Sequence, residues 1–161
     1  MKKITLSLLA VLFVFASCGG PDAVKFNDAI AKANATITQV SVSYDSDLTS
    51  AVNTENYEAI AAKTDSALAK IDAEITIVKA LDVPKGGADF KEAALKTYES
   101  LRGVVEAGKG FASLTKDSAP EDVSKLQETY QAKVDEYSKS FESLTAAQLE
   151  YAKEAGYEVR K

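Results

Sequence analysis

A chain of 161 residues suits one domain with room for a real core. Its formal charge of −5, from 24 acids and 19 bases, repels phosphate backbones and argues against nucleic acid as a partner. With no histidine and a single cysteine, the usual zinc, bundle di-iron and haem-attachment ligands are missing, and neither a Ser-His-Asp triad nor an internal disulfide can form.

Lys2 and Lys3 precede an apolar run, Ile4 to Ala16, broken only by Thr5 and Ser7. About thirteen residues are too few to span a bilayer, which takes roughly 17 to 25, but they suit the apolar core of a signal peptide. Ala16 and Ser17 are small, Cys18 follows, and Gly19 and Gly20 come next. The stretch Phe13 to Gly20 (FVFASCGG) resembles the bacterial lipoprotein signal, with Phe15 standing where leucine is commonest. The resemblance implies that residues 1–17 are removed, that the Cys18 thiol receives a diacylglyceryl group, and that the new amino terminus is acylated. Two or more chains anchor stably, each buried methylene contributing about 0.8 kcal/mol. Gly19, in place of an aspartate that would retain the protein in the inner membrane, implies the outer membrane. Asp22 alone does not make the acidic tract that sends some lipoproteins to the cell surface, so either membrane face stays open. Losing Lys2 and Lys3 takes the formal charge from −5 to −7, which leaves the acyl chains as the hold on the membrane. Residues 18–21 form a short tether, and 22–161 the folded domain.

Beyond the tether, apolar residues recur at helical spacing. Phe26, Ile30, Ala33, Ile37, Val40, Tyr44, Leu48 and Ala51 predict a helix from about Asp22 to Ala51. Within it, TITQVSVSY (Thr36 to Tyr44) is rich in β-branched residues, and Val40, Val42 and Tyr44 alternate as in a strand. The longer helical frame decides for helix, since propensity is the weaker signal. Asn53 or Thr54 is the expected cap of a second helix carrying Tyr57, Ile60, Thr64, Ala67, Ile71, Ile75 and Val78. That helix should stop near Leu81, because Val83 precedes Pro84. Asp89 and Glu92 suggest a capping box for a third helix, with Phe90, Ala94, Leu101, Val104, Val105 and Phe111 inward. Gly103, Gly108 and Gly110 lie in or near it, either allowing close helix approach or breaking the helix near Gly108.

Ser118, Pro120 and Glu121 predict the start of a fourth helix, with Ser118 as cap and Pro120 in the first turn. Val123, Tyr130, Tyr137, Leu144 and Tyr151 then repeat every seven residues, with Leu126, Val134, Phe141 and Ala155 in the second row. The expected architecture is all-α: an up-down-up-down four-helix bundle with left-handed, coiled-coil-like packing. The first three helices should run roughly 40 to 45 Å at 1.5 Å per residue. The fourth should be longer, overhanging or bending near Gly156.

Chemistry is scarce. Acids fall on polar faces and none interrupts an apolar stripe, so no buried general acid or base is expected. GVVEAGKG (Gly103 to Gly110) lacks phosphate-loop spacing. YDSDLTS (Tyr44 to Ser50) offers Asp45 and Asp47 without EF-hand spacing. Neither a cofactor nor a metal is expected, and the protein reads as a non-enzyme. Tyr130, Tyr137 and Tyr151 share a face that Tyr44, Tyr57 and Tyr98 can meet; they either line a ligand cavity or pack as core with hydroxyls reaching the rim. Two DSA tripeptides resemble a bacterial O-glycosylation sequon and make Ser66 and Ser118 candidate modification sites. AVKFNDAI (Ala23 to Ile30), soon after the cysteine, resembles a family of small helical bacterial surface lipoproteins of unknown function, which implies an envelope location and a helical fold. The expected function is an envelope-anchored module that presents helix faces to a protein partner. The alternative is a carrier for a small apolar or aromatic ligand.

Overall fold

The computed structural model describes residues 21–156. The expected signal segment 1–17, Cys18 and the rest of the expected tether before Pro21 lie outside the described residues, as does the chain after Gly156. Four helices carry the fold: α1 (Pro21–Asn53), α2 (Glu58–Lys79), α3 (Ala88–Lys109) and α4 (Pro120–Glu154), with a 3-10 turn, Gly110–Ser113, after α3. No strand occurs among the described residues. Short connections reverse the chain three times, giving the all-α, up-down-up-down bundle.

The apolar stripes explain the arrangement. Every stripe residue of α1 is buried, from Phe26 to Ala51. The strand-like alternation fails at its middle member: Val40 and Tyr44 are buried, whereas Val42 is 53% exposed. Helical spacing puts Val42 on the far side, and burial of the stripe outweighs β propensity. In α2 the buried residues are Ile60, Thr64, Ala67, Ile71, Ile75 and Val78. Helix α3 buries a single broad face, from Phe90 to Gly108, and packs against all three other helices. Helices α1 and α4 meet mainly through long side chains.

Several helix ends differ from expectation. Asn53 and Thr54 do not cap α2. They close α1, where the Glu55 N–H bonds Val52 O at 3.2 Å and the Asn56 N–H bonds Ala51 O at 2.8 Å. This is a Schellman closure with Glu55 in its left-handed position, φ 55°. The Thr54 hydroxyl donates back to Ser50 O at 2.8 Å. Asp89 and Glu92 form no capping box, because Gly87 holds the N-cap position of α3. There the Gly87 N–H bonds Pro84 O at 2.9 Å, and Gly86, at φ 80°, turns the chain directly into the helix. Ser118 does not cap α4 either: Ala119 takes that position, with Pro120 in the first turn as expected.

Helices α2 and α3, at 22 residues each, are about 33 Å long rather than the expected 40 to 45 Å. The turns on both sides of α2 consume the difference. The extra length of α4 lies at its start. Its buried residues begin at Val134, and Val123, Leu126 and Tyr130 ahead of it are half-buried. Its end does not overhang: Tyr151 is buried, and Gly156, at φ 73°, follows the last turn.

Both accounts of the glycines hold, at different residues. A Cβ on Gly108 would stand 2.9 Å from Tyr44 Cε1 and closer still to its hydroxyl. The helix tightens to 3-10 at Gly110. Gly103 faces open space, with only Lys133 Cδ at 3.6 Å from such a Cβ.

Gly103→Ala should therefore stabilise the fold by about 0.5 to 1 kcal/mol through helix propensity. Gly108→Ala should lose about 1 to 2 kcal/mol net, because overpacking against a hydrogen-bonded tyrosine exceeds the propensity gain. Glu55→Gly should gain about 1 kcal/mol by relieving the left-handed backbone; its ion pair with Lys116 is exposed and adds little. Urea unfolding curves of the three variants check the signs.

Candidate functional site

The polar atoms of the interior cluster where tyrosines from different helices end. Tyr44, from α1, shares a hydrogen bond with the Thr64 hydroxyl at 3.0 Å and donates to Val105 O at 3.1 Å. One residue so joins α1, α2 and α3, and the missing side chain at Gly108 makes room for its ring. The Tyr98 hydroxyl reaches Asn34 Oδ1 on α1. Tyr130 donates to Asp45 Oδ1 at 3.3 Å, and Tyr151 donates to Ala23 O at 3.2 Å. Gln148 adds a further α4-to-α1 bridge, donating to Asn27 Oδ1 at 3.3 Å.

Of the three tyrosines expected on one face, the structure brings two together. Tyr130 and Tyr137 line a recess between α1, α3 and α4, with Ser41, Tyr44, Asp45 and Leu101. Tyr151 lies near the opposite end of α4. It stacks on Phe90 at a centroid distance of 5.5 Å and meets Phe26 edge-on at 5.5 Å. Tyr57, at the start of α2, and Tyr98 are not among the residues lining the recess. The recess holds about 20 Å³, room for one water. Pockets for drug-sized ligands run to roughly 300 Å³ and above. In this closed arrangement the tyrosines act as core, with hydroxyls anchored on neighbouring helices.

Tyr137 is the exception in the recess. It is 1% exposed, and its hydroxyl has no hydrogen-bond partner of good geometry. Burial pushes its pKa up to about 12, and the nearby Ser41 hydroxyl eases the rise without completing a bond. Burial also raises Tyr130, with the Asp45 carboxylate adding to the shift, and raises Tyr98, with Glu74 adding. Tyr44 is raised by burial and partly relieved by its bond to Thr64.

None of the described Asp or Glu residues is buried. Asp45 serves Tyr130, and Asp47 pairs with Lys63 at 3.1 Å. Glu136 is exposed and held below the usual carboxylate range by its hydrogen bond to Lys133. Among the described residues no group of three or more Asp, Glu, His or Cys is arranged to hold a metal ion.

The two DSA serines differ. Ser66 is exposed on α2, between Asp65, which pairs with Lys109, and buried Ala67. Ser118 is half-buried and accepts the Thr115 N–H at 2.8 Å, so it holds its own loop together. Sequence reasoning missed the Phe26–Phe90–Tyr151 cluster and the Asn27–Gln148 bridge. Both depend on the register between distant helices, which no local spacing reports.

Tyr44→Phe should cost about 1 to 3 kcal/mol, since it removes two buried bonds and strands Thr64. Tyr137→Phe should be neutral or stabilising by up to about 1 kcal/mol, because it deletes an unpaired buried hydroxyl. Chemical denaturation of both variants separates the cases. The raised tyrosine pKa values also set an alkaline limit. A neutral phenol is favoured in the fold, so this contribution is intact below the ordinary value of 10.0 and is lost as pH climbs through the folded values. Tyrosinate absorbance and loss of helical circular dichroism should therefore appear together above pH 10.

No family model, curated protein or solved structure matches the chain in the comparisons made, so the reading of its function rests on the residues and geometry given above.

Proposed function

We propose that the chain is a non-enzymatic lipoprotein of the bacterial outer membrane, fastened by acyl chains on Cys18 and presenting its helix faces to another envelope protein. The observation that carries this reading is the basic, apolar, small-residue order of Lys2 to Ser17 ending at the single cysteine. Three structural features support it. Helix α1 opens at Pro21, already at the last residue of the expected tether. No described helix is long and apolar enough to cross a membrane, so a membrane hold has to come from elsewhere in the chain. The described acids lie outside the core, where they suit a solvated surface better than a reaction centre. The carrier reading would require the helices to part, because the recess admits only a water.

Cys18→Ala should shift the protein from the membrane fraction to the soluble fraction, and intact mass of the wild type should show residues 1–17 removed and acyl groups added. Wild-type membrane retention by the variant, or an unmodified thiol at Cys18, would defeat the reading. Crosslinking in intact cells, with and without external protease, then identifies the neighbour and the membrane face.

A further inference from the structure

The two ends of the bundle are unlike, and the tether selects one of them. Phe26 of α1 lies against Gly87, where a Cβ would meet its ring at 2.9 Å. Tyr151 of α4 bonds Ala23 O, and the Glu154 side chain covers Gly86. The start of α1, the α2–α3 loop and the end of α4 therefore share one end. Cys18 is three residues from Pro21, a reach of roughly 10 Å at full extension. An acylated Cys18 holds this end at the bilayer surface.

That end carries exposed apolar side chains on a fixed support. The large hydrophobic residues exposed among those described are Val42, Ile77 and Val83. Val42 is midway along α1. Ile77, 50% exposed, stands near the end of α2, and Val83, 46% exposed, stands in the α2–α3 loop. The loop is braced on each side. Lys91 Nζ donates to Lys79 O at 2.8 Å and Leu81 O at 2.7 Å, closing the end of α2. Beyond Val83, the Pro84–Gly87 bond and the left-handed Gly86 set the chain's path. Lys85, exposed on one side of Val83, forms no ion pair among the described residues, and Asp82 is exposed on the other side. The connections and first turns at the other end carry Glu55, Glu58, Asp117, Glu121 and Asp122 against Lys116, where this end carries Asp22, Asp82 and Asp89 against Lys85.

We propose that the α2–α3 loop is a lipid-contact surface, with Val83 entering the interface of the membrane that holds the acyl chains and Lys85 meeting lipid phosphates. The proposal rests on acylation of Cys18. The short tether brings the loop to the bilayer, and the rigid loop gives up little conformational freedom when an apolar tip enters the headgroup region. The more acidic far end is left in solvent.

The test uses the full-length acylated protein in vesicles of phosphatidylethanolamine and phosphatidylglycerol, with single new thiols from Val83→Cys, Val42→Cys or Asn56→Cys carrying a nitroxide. All three sites are exposed, so the fold tolerates the label. The label at 83 should be shielded from a water-soluble relaxation agent by about fivefold relative to 42 and 56, and should gain access to membrane-dissolved oxygen, as an interfacial position requires. Equal water access at 83 and 56 in protein that floats with the vesicles would overturn the docking while leaving the anchor intact. Spin–spin broadening at 83 that follows protein density would assign the surface to a second copy and overturn the lipid assignment. Protein that does not float, with an unmodified Cys18 by mass, would overturn the anchor and this proposal together.

Discussion

Helices α1 and α4 are joined across a gap that their backbones do not close, and the interior is organised by that constraint. The bridging side chains have to be long, largely apolar along their length, and able to end on a polar atom of another helix. Tyrosine meets all three demands. Tyr130 and Tyr151 cross from α4 to α1, Tyr98 crosses from α3 to α1, and Tyr44 leaves α1 for α2 and α3. Each buried hydroxyl that finds an acceptor avoids a desolvation penalty of about 1 to 3 kcal/mol. Such bonds also discriminate between registers: a helix slid by one turn would lose several at once. An all-aliphatic core would supply comparable burial with weaker selection of register.

Gly108 belongs to the same constraint. Tyr44 reaches Val105 O only because the next turn of α3 offers no side chain in its path. A residue that seems to weaken a helix is thereby the condition for the bond that ties three helices together. Gly103, a few residues earlier, has no such neighbour. Two glycines in one helix thus carry opposite structural meanings, and only the partner helix distinguishes them.

That contrast shows what the sequence made legible. The number of helices, their inward faces and the proline at the start of α4 follow from local spacing and backbone sterics, which are written within a few residues of each other. The helical reading through Thr36 to Tyr44 came from the same source. The caps were read less well. Asn53, Thr54, Asp89 and Ser118 are all good capping types, but competing turns took their places: a Schellman closure at Glu55, the Pro84–Gly87 turn, and the Thr115–Ser118 bond. The tyrosine face was legible as a face, whereas the separation of Tyr151 from the recess was not. Which ring meets which helix is set by packing between segments more than a hundred residues apart, as in Tyr151 to Ala23.

The same geometry constrains how a tethered bundle meets its surroundings. With Cys18 acylated as proposed, the attachment point is at one end, and the long helices α1 and α4 extend about 50 Å from it. Charge screening in physiological salt acts over roughly 8 Å. In that arrangement the acids around Glu55 and Glu121 would be electrically separate from the lipid surface, and their repulsion would not lift the bundle from it. On the proposed reading they stand at the end where another envelope protein would first be met. The recess beside Tyr130 and Tyr137 has room for one water, well below the volume of a pocket for a drug-sized ligand. In the proposed anchored module, partner contacts would lie on the outside of the rod, at a height above the membrane that helix length sets.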